Sequence, residues 1–304
     1  MISGFVCDCH GFMNDGDEKS YKFFEAGVNR EGWFNNEDLV KQYIDTEPLM
    51  KRLHPECELL FGFDNSMNHH ARAPGGLDAA LLNLSDGGAN VKNMRDGWYL
   101  NETGERVIHK VQNELGVQKG IRTILLERKK FLNSKGFPQN LLCAYCKTNT
   151  TEAERAEALA MGFIDERCCA RHTLSKEPDF LEQEEWLTEV VKGRGHKIIF
   201  FPKFHCELNF IEMVWGWMKS YHRRNCTYNY LHLKNNLPNT MLVEMPIKFI
   251  RKAARHCYRF MSGYRQGLDG PLLDYTMKTY SGHRRIPDIV LIEVQAAYDK
   301  SRKK

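Results

Sequence analysis

Asp64 stands where an apolar segment, Glu58-Leu-Leu-Phe-Gly-Phe63, runs out into Asp64-Asn-Ser-Met-Asn-His-His70. An acid at the end of a buried strand is held firmly and still meets solvent, as a metal ligand must. The same step could equally open an ordinary turn, with Asp64 and Asn65 capping the next segment. A second carboxylate, Glu212, lies in Phe201-Pro-Lys-Phe-His-Cys-Glu-Leu-Asn-Phe-Ile-Glu-Met-Val-Trp-Gly-Trp-Met-Lys219. Here Ile211, Val214, Trp215 and Met218 recur at helical spacing and predict one buried face. Glu212, Gly216 and Lys219 fall together on another. A carboxylate, a residue without a side chain and a cation in that order suit a phosphodiester backbone, with Glu212 on a metal and Lys219 on a phosphate. The plainer alternative is an amphipathic core helix whose charges are solvated. A third cluster is soft. Cys143-Ala-Tyr-Cys146 is followed by Cys168-Cys-Ala-Arg-His172, so Cys143, Cys146, Cys169 and His172 have the ligand count and local spacing of a structural Zn2+ site. Buried free cysteines are the alternative there.

The elements that would position these groups can be read from pattern and punctuation. Residues 2–7 read as a strand, and 36–53 as a helix with Asn36 as its cap and Leu39, Val40, Tyr43, Ile44 and Leu49 inward. Residues 58–63 read as the strand that delivers Asp64, and 195–201 as the strand before Pro202. Between them, 86–98 is polar and Gly-rich, with a short strand near 98–100, a turn at 102–104 and a helix over 121–133. Lys92, Arg95 and Trp98 read either as nucleic-acid contacts or as an ordinary surface loop. A helix over 247–261 places Ile250, Ala254, Cys257 and Met261 inward and Lys248, Arg251, Lys252, Arg255 and Arg259 outward.

Two of these blocks resemble one family. Pro-x-x-x-x-Glu-Leu-Asn-x-Ile-Glu-x-x-Trp-x-x-x-Lys, Pro202 to Lys219, is similar to the third-acid block of mariner-like DDE transposases. Phe-Asp-Asn-x-x-x-His, Phe63 to His69, is similar to their second-acid block. The cysteine segment, the Leu-x-x-x-Pro-Asp-Phe step from Leu174 to Phe180 and Gly195-His196 resemble a fungal-element branch, so the resemblance covers roughly residues 1–288. It implies an α/β, ribonuclease-H-like mixed sheet flanked by helices, with Asp64 and Glu212 as catalytic carboxylates on Mg2+ or Mn2+. It assigns Asn65, His69 and Lys219 to substrate binding. The spacing from Asp64 to Glu212 is far longer than in compact members, which implies a large insertion. The expected organisation is a core segment at 1–74, the Cys-containing insertion at 75–190, a second core segment at 191–222 and a basic helical region at 223–304. The family's first acid precedes the strand read at 2–7, where this sequence has no Asp or Glu, and Asp8 does not match that context. The expectation is therefore a relic or fragment lacking the first acid and the DNA-end-reading helical domain. Two functions are implied: metal-dependent DNA strand cleavage and strand transfer, or a catalytically inactive DNA-binding or interaction module.

Composition narrows the setting. Hydrophobic residues make up 42% and charged residues 27% of the 304, ordinary for a globular chain. No apolar run approaches a membrane span, and no secretory leader is evident. Ten scattered cysteines favour a reducing, intracellular compartment over a disulfide framework. The net charge is only +4, yet residues 245–304 hold thirteen Lys/Arg against five Asp/Glu, which suits a polyanion. DNA is the expected partner, a homo-oligomer is compatible, and the nucleus is the expected location, with the cytoplasm as alternative. The tail Lys300-Ser-Arg-Lys-Lys304 reads as a frayed basic helix or a nuclear-import patch.

Overall fold

The computed structural model describes all residues except 148, 149, 226, 269, 281, 283, 284 and 302–304. Six short strands open the chain: β1 (Ile2–Gly4), β2 (Val6–Cys7), β3 (Gly11–Phe12), β4 (Asn14–Asp15), β5 (Glu18–Lys19) and β6 (Tyr21–Phe23). Helix α1 (Asn36–Leu53) and strand β7 (Leu60–Phe63) come next, then β8 (Gly97–Leu100) and β9 (Arg106–His109). Helices α2 (Ile121–Glu127), α3 (Glu152–Ala160), α4 (Ala170–Ser175), α5 (Pro178–Glu182) and α6 (Trp186–Gly193) lead to strand β10 (Lys197–Phe200). The chain ends in α7 (Phe210–Asn225), α8 (Tyr230–Asn239), α9 (Ile247–Arg265), α10 (Gly270–Thr279) and α11 (Asp288–Ser301). The fold is mixed α/β, its sheets are two-stranded among the described residues, and none of those residues form a helix long and apolar enough to cross a membrane. The chain divides into two compact units, Met1–His69 with Val190–Lys304, and His70–Glu189.

In the first unit β1 pairs antiparallel with β6, and β7 pairs parallel with β10 in register from Leu60↔Lys197 to Phe63↔Phe200. The β7 face is held by aromatic packing: Phe5 meets Phe61, Phe63 and Tyr43 edge-on at 6.0, 5.9 and 6.4 Å between centroids. The cap of helix α1 is Asn35, one residue before the expected Asn36. Asn35, in extended backbone, accepts the Asp38 N–H at 3.2 Å while Asp38 accepts the Asn35 N–H at 3.0 Å. Further along, buried Glu47 accepts from His196 at 2.8 Å and Arg194 at 3.0 Å, tying α1 to the residues leading into β10. Phe12, Tyr21, Val214, Met218 and Ile250 form a second cluster that seats α7 and α9 on the strands.

Helix α9 keeps Ile250, Ala254 and Cys257 inside and leaves Lys248, Arg251, Lys252 and Arg255 exposed, as its periodicity predicts. Arg259 is a correction. It is buried rather than outward, because α10 packs beside it and the Tyr280 carbonyl accepts its Nη1–H at 3.2 Å. Arg302, Lys303 and Lys304 of the basic tail lie outside the described residues.

The second unit closes its own core around Leu82, Val111, Ile121, Ile124, Leu125 and Leu174. Helix α2 stops at Glu127 instead of running to 133, and the next residues show why. Arg128 turns inward to a carboxylate, and Lys129 takes a left-handed backbone with φ of 57°. Arg128 donates bidentately to Asp179 at 2.8 and 2.7 Å, and both side chains are essentially inaccessible. Gly97 sits against this pair; a Cβ there would lie 2.2 Å from Asp179 Oδ2, so only glycine fits. Arg95 pairs with Glu189 at 2.8 Å and the Trp98 ring lies under the Arg106 guanidinium at 4.0 Å, so both are engaged within the unit.

Candidate functional site

Because β7 and β10 are parallel and in register, their C-terminal ends release the chain at the same edge. That edge is where open α/β sheets bind ligands. Asp64 follows Phe63 directly; Glu212 enters from the first turn of α7, which begins ten residues after Phe200. Asp64, His69 and Glu212 line one cavity of about 540 Å³, bounded also by Ser3–Val6 and by Asn209. The structure therefore brings together the two acids and the histidine singled out in the sequence. Among the described residues lining this cavity, Asp64 and Glu212 are the carboxylates. Asp8 does not line it; its backbone carbonyl accepts from Arg251 Nε at 3.0 Å instead.

Asp64 is a half-open carboxylate with one fixed neighbour. His69 Nδ1 lies 2.7 Å from Asp64 Oδ1 and 2.8 Å from the Asp64 carbonyl, while its ring packs on Phe63 at 5.6 Å. The hydrogen bond from His69 holds the Asp64 carboxyl below its usual range, so it stays ionised and ready for a cation. Burial disfavours the charged His69 ring, but its bonds to Asp64 outweigh this and hold its pKa above 6.5. Asn65 comes next on the loop, half-buried and outside the cavity lining.

Glu212, Gly216 and Lys219 are exposed along α7, while Val214 and Met218 are buried, as the spacing predicts. Among the described residues, no atom outside the helix lies within 4 Å of the position a Gly216 Cβ would take, so the helix can be approached closely there. Lys219 is not in the Asp64–Glu212 cavity. It borders a larger one of about 1030 Å³, with Tyr221, Arg223, Tyr228, Tyr230 and Lys234, and Trp215 borders both.

The soft cluster in the second unit differs from the expected one by a single ligand. The sulfurs of Cys143, Cys146, Cys168 and Cys169 all lie within 4.8 Å of one another, a group that could hold a metal such as zinc. The Cys146–Cys168 and Cys168–Cys169 separations are 3.6 and 4.0 Å. Thiolates on one tetrahedral zinc stand about 3.8 Å apart, from a Zn–S distance of about 2.3 Å. His172 is the correction: it does not join the group. Helix α4 begins at Ala170 with Cys169 as its cap, so His172 is carried into the helix, toward Arg155 and Lys176. Burial, with those two cations, pulls its pKa down to about 4. Cys168, adjacent to Cys169, takes the place. Burial first and the Cys143 sulfur next push the Cys146 thiol up to about 12, a cost that a divalent cation among the sulfurs removes. Cys168→Ser is accordingly expected to lose about one equivalent of zinc, and His172→Ala none, in metal content after chelator stripping and reloading.

No protein-family model matches the chain, and no curated protein or solved structure matches it either.

Proposed function

We propose that this chain is a ribonuclease-H-like core of the mariner-like DDE class, cleaving and transferring DNA strands with a divalent metal, and that His70–Glu189 is its Cys-containing insertion. The observation that carries this reading is the meeting of Asp64 and Glu212 on one cavity, at the C-terminal edge of an in-register parallel strand pair. The two carboxylates, both open to solvent, are hard oxygen donors of the kind that hold Mg2+ or Mn2+. When bound, such an ion activates a water or 3′-hydroxyl and offsets charge on the scissile phosphate. The chain's own residues do the rest. His69 orients Asp64, the bare helix surface at Gly216 admits a backbone, and Lys219 with the cations of α9 attracts phosphates. DNA is the partner in this reading, with a nuclear location to match, and a second copy of the chain is compatible with it.

A second reading, a DNA-binding or interaction module without cleavage, is favoured by one observation. Two carboxylates line the cavity among the described residues, where strand transfer in this class uses three acids. Nicking of supercoiled plasmid in Mg2+ or Mn2+, by the wild type against Glu212→Ala, separates the two readings.

The Asp64–His69 pair adds a pH dependence. Charged His69 and a metal compete for one carboxylate, so Mn2+ affinity should rise as pH climbs through the raised His69 pKa. Titrations from about pH 6 to about pH 8 should show this slope in the wild type and a flatter one in His69→Gln. Over that range the His69 contribution to stability has the opposite sense. The His69 share is complete below 6.5 and is lost as pH rises through the raised value. The Asp64 share is present above 3.8 and is lost as pH falls through the depressed one.

A further inference from the structure

A second group of soft ligands lies in the first unit. Cys7 ends β2, His10 closes the turn into β3, and His54 caps the C-terminus of α1. Their ligand atoms form a small triangle: His10 Nδ1 to His54 Nε2 is 3.3 Å, Cys7 Sγ to His54 Nε2 is 3.6 Å, and Cys7 Sγ to His10 Nδ1 is 3.9 Å. A tetrahedral zinc ion binds nitrogen at about 2.0–2.1 Å and sulfur at about 2.3 Å, which sets N–N edges of about 3.4 Å and N–S edges of about 3.6 Å. The His10–His54 and Cys7–His54 edges match three-corner zinc geometry, and the Cys7–His10 edge is longer by about 0.3 Å.

We propose that Cys7, His10 and His54 bind a zinc ion that fastens the β2–β3 turn to the end of α1. Cys7-Asp-Cys-His10 is a Cys-x-x-His step, and the His10 backbone N–H donates to Cys7 Sγ at 3.3 Å, an arrangement that favours a thiolate. The turn is braced from outside. Arg251 Nε donates to the Asp8 carbonyl at 3.0 Å, and Arg251 Nη2 to the Cys9 carbonyl at 3.1 Å. His54 arrives from 44 residues further on, held because its N–H closes the last turn of α1 on Met50 O at 3.0 Å. His10 is exposed, as are the thiols of Cys9 and Cys57. Ion binding here adds a link between distant chain segments, and the binding free energy becomes folding free energy for this part of the unit.

The test is zinc stoichiometry of the full chain, stripped with chelator under reducing conditions and reloaded with zinc alone. The wild type is expected to hold about one equivalent more than Cys7→Ser or the His10→Ala/His54→Ala pair, while Cys143→Ser/Cys146→Ser retains that ion. X-ray absorption of zinc in the Cys143→Ser/Cys146→Ser variant should show mixed nitrogen and sulfur ligation. The single variant His10→Ala, at an exposed position, guards against a loss caused by misfolding, with circular dichroism as the check. Equal zinc in the wild type and all the Cys7, His10 and His54 variants would overturn the proposal and leave a hydrogen-bonded triad only. So would sulfur-only ligation in the Cys143→Ser/Cys146→Ser variant.

Discussion

Asp179→Ala should destabilise the His70–Glu189 unit by about 3–5 kcal/mol, more than most single substitutions cost. The reason lies in what would be stranded. Arg128 is fully inaccessible and donates to both Asp179 oxygens, at 2.8 and 2.7 Å. Its remaining bonds are to Glu177 at 3.3 Å and His109 Nδ1 at 3.0 Å, and Glu177 is already shared with Lys130 at 2.8 Å. Asp179 also accepts the Trp98 backbone N–H at 3.0 Å, so its loss orphans a strand end as well as a guanidinium. Replacing both partners, as in Arg128→Met/Asp179→Leu, should cost much less than Asp179→Ala, because a buried pair is harder to break than to exchange for apolar volume. Urea unfolding followed by circular dichroism measures both. A loss below about 1 kcal/mol for Asp179→Ala would mean the pair carries little of the unit's stability.

This pair also shows where sequence pattern reaches its limit. Apolar runs that stop at a polar residue were enough to locate the strand before Asp64, and helical spacing separated Val214 and Met218 from Glu212 and Lys219. Both signals are local, so they survive without knowledge of the fold. Arg259 reads as surface because a charged residue on a basic helix usually is; only a partner distant in the chain makes such burial tolerable, the Tyr280 carbonyl for Arg259 and Asp179 for Arg128. His172 shows a different failure. Its Cys-x-x-His spacing is that of a metal knuckle, yet α4 takes it out of the sulfur cluster and adjacent Cys168 serves instead. The triangle of Cys7, His10 and His54 needs a contact across 44 residues, which no local pattern encodes. Strand pairing was hidden for the same reason, since runs of two to four residues carry too little pattern to fix a partner.

On the proposed cleavage reading, the largest functional effect is expected at Glu212. If Asp64 and Glu212 share one ion, removing either leaves a single carboxylate, and the metal loses its place beside the phosphate. Metal-dependent cleavage should then fall by about 100-fold or more in Glu212→Ala and similarly in Asp64→Ala, while DNA binding through Lys219 and the α9 cations keeps its salt dependence. Gly216 and Lys219 lie one and two turns from Glu212, so they are expected to affect DNA affinity before they affect cleavage. The most direct test is therefore nicking of supercoiled plasmid in Mn2+ by the wild type, Asp64→Ala and Glu212→Ala, each checked for salt-sensitive DNA binding. The expected result is wild-type nicking that vanishes with chelator and in both variants. Nicking that survives either substitution, or none by the wild type despite intact DNA binding, would contradict the two-carboxylate site as a cleavage centre.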